Sequence, residues 1–201
     1  MVKFTVMISI SQKSRRSVFV MAFCLGSLIV LAQEVTDRYP SGEIRAKGIM
    51  KDGLKEGEWT YYYPGGIVSA VEQYRSGKMH GTVSYFYPDG GKQGNEVWTD
   101  GSLTDSATYY FPNGKPEKKG RYASSQYDGI WVFYYESGGI FRTVTYVNGL
   151  PEGETQVYSE KGTLIQHGYY HEGSESGHWR FYDEKGKLKS EAEYEKGKKR
   201  K

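Results

Sequence analysis

The sequence predicts an all-β protein, an elongated single-layer antiparallel β-meander built from tandem 24-residue β-hairpin repeats. Three observations carry that prediction. A ten-residue stretch recurs every 24 residues without an insertion: GEWTYYYPGG at 57–66, GTVSYFYPDG at 81–90, DSATYYFPNG at 105–114, GIWVFYYESG at 129–138, GETQVYSEKG at 153–162 and GHWRFYDEKG at 177–186. Fixed-period self-similarity of this kind marks a repeat architecture. Each unit also carries two turn signals, one of the DGLKEG, SGKMHG, NGLPEG type and one of the YPGG, YPDG, FPNG type; Gly and Asn supply positive φ there and Pro presets φ ahead of them. Between the turns lie segments rich in Tyr, Val, Ile and Trp, and no Gly-free, Pro-free window of the array is long enough for an ordinary amphipathic helix.

The elements follow in chain order. Residues 1–32 hold no acid, carry Lys3, Lys13, Arg15 and Arg16, and run into the apolar SVFVMAFCLGSLIVLA ending in Val30-x-Ala32. A basic n-region, an apolar h-region and small residues at the cut describe a secretory signal peptide, with retention as an N-terminal membrane anchor as the alternative. A half unit occupies 33–38, because QEVTDRYPSG at 33–42 aligns with GEWTYYYPGG at 57–66. Units then begin at 39, 63, 87, 111, 135, 159 and 183, and the array extends to 197 in about fourteen strands. Residues 198–201 are read as a basic tail, solvated or touching an anionic membrane surface. Removing the leader takes four of the 27 basic residues and the one cysteine, leaving 23 against 24 acids. The mature chain is therefore near neutral without disulfide or thiol chemistry, and nothing in it calls for nucleic acid.

Side chains alternate between faces along a strand, so columns of the repeat sort onto two sides. Pairing residue 50 with 59 across the 52–57 turn places Met50, Trp59, Tyr61, Tyr74, Val83, Tyr85, Tyr122, Trp131, Phe133, Tyr170, Trp179 and Phe181 on one apolar face. The same register sets Gly48, Gly120 and Gly168 opposite Tyr61, Phe133 and Phe181. A second aromatic column, Tyr62, Phe86, Tyr110, Tyr134, Tyr158 and Tyr182, projects from the opposite, polar face. Its members recur every second strand, about 10 Å apart, and this row of exposed rings is the candidate partner-binding surface.

The residues so assembled resemble the MORN family, in its bacterial variant form. The signature Gly-x-Tyr-x-x-Gly-x-x-x-Gly-x-Trp-x-x-Tyr with a Pro-x-Gly turn is approached in Tyr74-Arg-Ser-Gly77-Lys-Met-His-Gly81 and in Gly57-Glu-Trp59-Thr-Tyr61. The resemblance covers 34–197; it departs at Asp105 and Ser125, which stand in glycine columns, and at Ser159-Glu160 in place of Tyr-Pro. It implies a β-meander found in scaffolds, in membrane-associated proteins and in proteins labelled antitoxin-like.

Catalysis needs convergent titratable groups in a pocket, and the motifs for it are absent: no nucleophile motif, phosphate loop or CxxC. His167, His171 and His178 cluster in sequence, but a strand holds His167 and His171 about 13 Å apart, too far to share a metal. Glu72 and Glu96 fall on the apolar face beside Tyr85 and Tyr109, where tyrosine hydroxyls or water satisfy them. The expectation is a non-enzymatic exported protein with no cofactor and no metal. Its partner is another protein in the cell envelope or, alternatively, an envelope glycan stacking on the Tyr/Trp ladder; inhibition of a partner, as in antitoxins, is the second alternative.

Overall fold

The computed structural model describes residues 32–201; the segment read as a signal peptide lies outside the described residues apart from Ala32. The strands are β1 (Gln33–Arg38), β2 (Ile44–Lys51), β3 (Leu54–Tyr62), β4 (Val68–Arg75), β5 (Lys78–Met79), β6 (Gly81–Phe86), β7 (Lys92–Thr99), β8 (Ser102–Tyr110), β9 (Pro116–Ala123), β10 (Gln126–Tyr134), β11 (Ile140–Val147), β12 (Leu150–Tyr158), β13 (Leu164–His171), β14 (Ser174–Tyr182), β15 (Leu188–Glu195) and β16 (Lys198–Lys199). They form one antiparallel sheet in chain order, with the short β5 paired to β4. Among the described residues there is no helix. The β5 and β6 segments are one repeat strand interrupted at His80, so the expected fourteen strands are β1 to β15. The additional β16 corrects the reading of a tail: Lys198 pairs with Glu195 and Lys199 with Tyr194, and Arg200 donates to the Glu195 carboxylate. The basic run continues the hairpin pattern.

Each unit has two tight connections. Asp52-Gly53 form a two-residue hairpin loop with φ of 53° and 75°, the twist-matched conformation that requires positive φ at both centres. At the other end Gly42 N–H donates to Tyr39 C=O and Tyr39 N–H to Glu43 C=O, a turn closed through one left-handed residue. Both connections recur at 24-residue intervals.

The pairing across the Asp-Gly turn differs from the expected register. Met50 faces Lys55 and Ile49 faces Glu56; the ladder then slips, and Lys47 faces Thr60 and Ala46 faces Tyr61. Three residues of β3 bulge past one of β2, hinged at Gly57 with φ +66°. The same irregularity recurs at the Gly57 column in later units, with Asp105 taking positive φ in the third. The expected pairing was off by four residues beside the turn and by two past the bulge, both even numbers, and so the face assignment survives. The glycine partners do not. A methyl group built on Gly48, Gly120 or Gly168 would collide with the indole of Trp59, Trp131 or Trp179, not with Tyr61, Phe133 or Phe181.

This column pair organises the apolar face. Trp59, Val83, Ala107, Trp131, Thr155 and Trp179 occupy one repeat position, all buried. On the preceding strand each meets Gly48, Glu72, Glu96, Gly120, Val144 and Gly168 in turn. Wherever the lower residue is glycine, the upper is tryptophan; wherever it has a side chain, the upper is Val, Ala or Thr. The volume is shared within the sheet's own surface. Around Trp131 this builds the main cluster, Ala107, Val144 and Tyr146 with Tyr109, Tyr122, Tyr127 and Phe133 packed on it. Tyr127 stacks on the indole at 3.9 Å between centroids. The Trp59 and Trp131 N–H groups donate to the backbone carbonyls of Ile49 and Arg121.

Two hydrogen-bond ladders tie unit to unit beyond strand pairing. Tyr39, Tyr63, Tyr87 and Tyr135 donate their hydroxyls to the carbonyls of Tyr62, Phe86, Tyr110 and Tyr158, each 23 residues ahead, at 2.7–2.9 Å. At the opposite edge Gly77, Gly101, Ser125, Gly149, Gly173 and Gly197 donate backbone N–H to the preceding hairpin, Gly77 to Lys55 for example. Phe111 and Ser159 interrupt the hydroxyl ladder.

Gly120→Ala is expected to lower stability by about 1–3 kcal/mol through overpacking, and Trp131→Ala by about 3–5 kcal/mol through the cavity it leaves. The double change Gly120→Val with Trp131→Thr, which copies the Val144–Thr155 pair, should recover most of that loss in urea denaturation; additive losses contradict the shared-volume account. Phe111→Tyr supplies the missing hydroxyl for the Tyr134 carbonyl and should stabilise by about 0.5–1.5 kcal/mol, with hydrogen exchange slowed at that junction.

Candidate interaction surface

The polar face carries the row Tyr62, Phe86, Tyr110, Tyr134, Tyr158 and Tyr182, one ring at the end of each second hairpin strand. The β-bulge at the Tyr61/Tyr62 step and its repeats turn each residue at the strand end, where Tyr62 faces Val68. All six are half-buried and not freely exposed, contrary to a row of bare rings. Lysine stems account for part of this cover. Lys47 Nζ stands 5.6 Å from the centre of the Tyr62 ring, Lys92 5.8 Å from Tyr110 and Lys119 5.6 Å from Tyr134. Interaction with the phenol oxygens of Tyr62 and Tyr134 raises the pKa of Lys47 and of Lys119. Tyr158 donates to the Gln156 side chain at 2.6 Å.

Beyond Tyr158 the same face becomes acidic and histidine-bearing. His167 meets Glu154 at 2.8 Å, His178 meets Glu191 at 3.0 Å, and Arg180 also reaches Glu191. His171, at the hairpin end, contacts Glu152 at 2.9 Å. Strand geometry keeps the three imidazoles on separate carboxylates. Among the described residues no group of three or more His, Cys, Asp or Glu is arranged to hold a metal ion.

The apolar face is polar in its seams, and most of its polar groups satisfy one another, while Arg142 Nε and the Trp179 indole N–H are buried without a partner among the described residues. Glu96 is buried and accepts from Tyr85, Trp98 and Tyr109, the last at 2.5 Å. Glu72 accepts from Tyr74 at 2.6 Å. Burial raises the pKa of Tyr74 and Tyr122 to about 12 and also pushes up those of Tyr61, Tyr85 and Tyr109, with the neighbouring carboxylates adding to the shift. They stay protonated donors over the whole neutral range. Lys55 sits in a cage of Trp59, Tyr61 and Tyr74 at 4.6, 5.1 and 4.7 Å. Lys118 lies over Tyr109 at 4.6 Å and donates to the Tyr127 hydroxyl. Such cages recognise cations; here the chain's own lysines fill them. Sequence reasoning placed the carboxylates correctly and missed the two caged lysines, whose signal was their place beside aromatic columns. It also missed the hydroxyl staples, legible in the 24-residue recurrence of Tyr before Pro or Glu.

At the β1 end of this face lies a hollow of about 740 Å³, with Val35, Ala46, Met50, Trp59 and Tyr61 in its lining. Its charged groups are Arg45, Asp52, Lys55 and Asp37, whose carboxyl Arg45 holds below the usual range by hydrogen bonding. An ion pair and solvated turn charges supply neither nucleophile nor poised base.

A family model described as the MORN repeat variant matches residues 55–76, 106–123, 127–148 and 175–196. Each match begins near the bulged strand and runs through the outer turn into the next strand. A search of curated proteins finds no match. Repeats of this family generally serve interaction with proteins or membranes, and they are scaffolds, not typically enzymes.

The His171–Glu152 pair gives a pH expectation with a definite sign. Hydrogen bonding to Glu152 raises the His171 pKa above 6.5, and the same bond lowers Glu152 below 4.5. The histidine's contribution is full below 6.5 and is lost as pH rises through its raised value. The glutamate's contribution is present above 4.5 and is lost as pH falls through its lowered value. NMR titration should place the His171 midpoint above 6.5, falling back in Glu152→Gln; an unchanged midpoint removes the pair.

Proposed function

We propose, for a chain that carries MORN-variant repeats, that it is an exported, non-enzymatic scaffold of the cell envelope that docks a partner protein on the Tyr62–Tyr182 row. One observation carries the reading: the two faces differ in what they leave available. The apolar face buries its indoles, with Trp59, Trp131 and Trp179 at 0–4% exposure, and it fills its cation cages from within. The polar face holds six half-buried rings with lysines across three of them. Tyrosine in such a row offers rigid apolar area and a hydroxyl at low entropic cost, and repeat arrays present extended surfaces for long partners. Burial of the indoles weighs against glycan stacking on the tryptophan ladder. The acid-free basic leader and its apolar run support export.

Tyr110→Ala with Tyr134→Ala, the fold checked by circular dichroism, should abolish capture of envelope protein partners while leaving the melting transition cooperative. Undiminished capture removes this face. Mass spectrometry of the protein from its native host should give an N-terminus at Gln33; one at Met1 rules out cleavage.

A further inference from the structure

The row is electrically graded along the array. Its lysine-bearing rings all lie between Tyr62 and Tyr134, whereas the face from β12 onward presents Glu154, Glu191 and Glu193 with their histidines and Arg180. Lys92 and Lys119 are exposed, and neither forms an ion pair among the described residues. Lys47, in the first such pair, has Glu34 and Glu58 as charged neighbours; around Lys119 the interacting group is Tyr134 alone. Arg121, the other cation of β9 on this face, is paired to Asp128. The one exposed carboxylate of β9 on this side is Glu117.

The geometry points to an acidic, extended segment of the partner protein as the occupant of the central row, its apolar or aromatic groups on Tyr110 and Tyr134 and its carboxylates on Lys92 and Lys119. This rests on the reading of the row as a protein-docking surface and adds the chemistry of what docks. A ring with an ammonium beside it matches a side chain that ends in a carboxylate. The two rings, in adjacent units, stand about 10 Å apart, the span of about three residues of extended chain, and Lys92 and Lys119 approach them from different repeat positions. Complementary charge of this kind steers association and fixes register. The acidic end of the face repels the same segment, so the docked chain has one favoured place along the array.

The test uses fluorescently labelled poly-L-glutamate with the full chain at low ionic strength, read by anisotropy. Binding is expected, weakening as salt rises, and Lys92→Gln with Lys119→Gln should weaken it about tenfold. Tyr110→Ala with Tyr134→Ala should weaken it as well, while Glu117→Gln, which removes the exposed carboxylate of β9 beside Lys119, should tighten it. Absence of poly-L-glutamate binding, indifference to the lysine pair, or looser binding in Glu117→Gln overturns the proposal. Binding of polygalacturonate in its place assigns the row to an anionic glycan and overturns it too. Capture of envelope proteins that is lost in the tyrosine pair but kept in the lysine pair sinks the acidic segment alone and leaves the docking surface standing; capture indifferent to both sinks both.

Discussion

An indole lying flat on a glycine is the contact on which the rest of this sheet depends. A domain ordinarily buries the apolar face of a sheet against a second layer, and the described chain has one sheet and no other layer. Burial must come from side chains lying down on their own sheet. Trp131 reaches full burial this way because Gly120 removes the Cβ that would hold the ring off the backbone. The exchange has a fixed volume, so the column pair can hold Trp over Gly, or a small residue beside Glu or Val, but not two large groups. Where it holds Glu72 or Glu96 a buried carboxylate enters the face, and burying a charge is unfavourable unless it is hydrogen-bonded. The tyrosines at 74, 85 and 109 and Trp98 supply those bonds. The aromatic richness of the chain and its carboxylates are thus parts of one packing solution.

Because burial is local, stability has to pass from unit to unit through contacts between neighbours. The hydroxyl staples at one edge and the turn N–H bonds at the other do this, each linking residues 22 or 23 apart. Their absences are informative. Ser125 keeps its turn bond to Leu103 with a φ of 64°, which a glycine would adopt more easily. Phe111 and Ser159 lack a phenol hydroxyl, and at the Phe111 junction Asn113 and Lys115 donate instead to the Glu136 and Ser137 carbonyls. The array is continuous in topology and uneven in coupling.

Most of the fold was legible because the 24-residue period fixes turns and strand order together, and because side-chain parity is robust to an even register error. The bulge was not legible from the turn alone. The third glycine column, at Gly57 and its repeats, has no place in a simple two-residue hairpin loop, and only a left-handed residue inside the strand explains it. Missing that bulge moved the glycines from the tryptophans to the wrong rings. The candidate row was placed on the correct face, yet its exposure was overstated: alternation gives a direction, while cover depends on what long neighbours such as Lys92 do. The basic C-terminal run shows the converse error, where composition suggested a tail and the repeat phase, followed one step further, gives a strand.

The proposed recognition follows from how the two faces dispose of their charges. On the indole face the chain supplies its own counterparts for Lys55 and Lys118, which lie over aromatic rings, and for Glu96, which sits among its phenols. Such pairs are already desolvated, and a ligand would have to replace them at a loss. On the row face Lys92 and Lys119 remain in water with a ring at one side and no carboxylate paired to them. Pairing one of them with a partner's acid forfeits no internal bond, and the ring beneath offers apolar area that becomes fully buried only when something lies across it. The side of the sheet that the fold has least need of is the side with unspent interactions, and it runs in one line through the centre of the array.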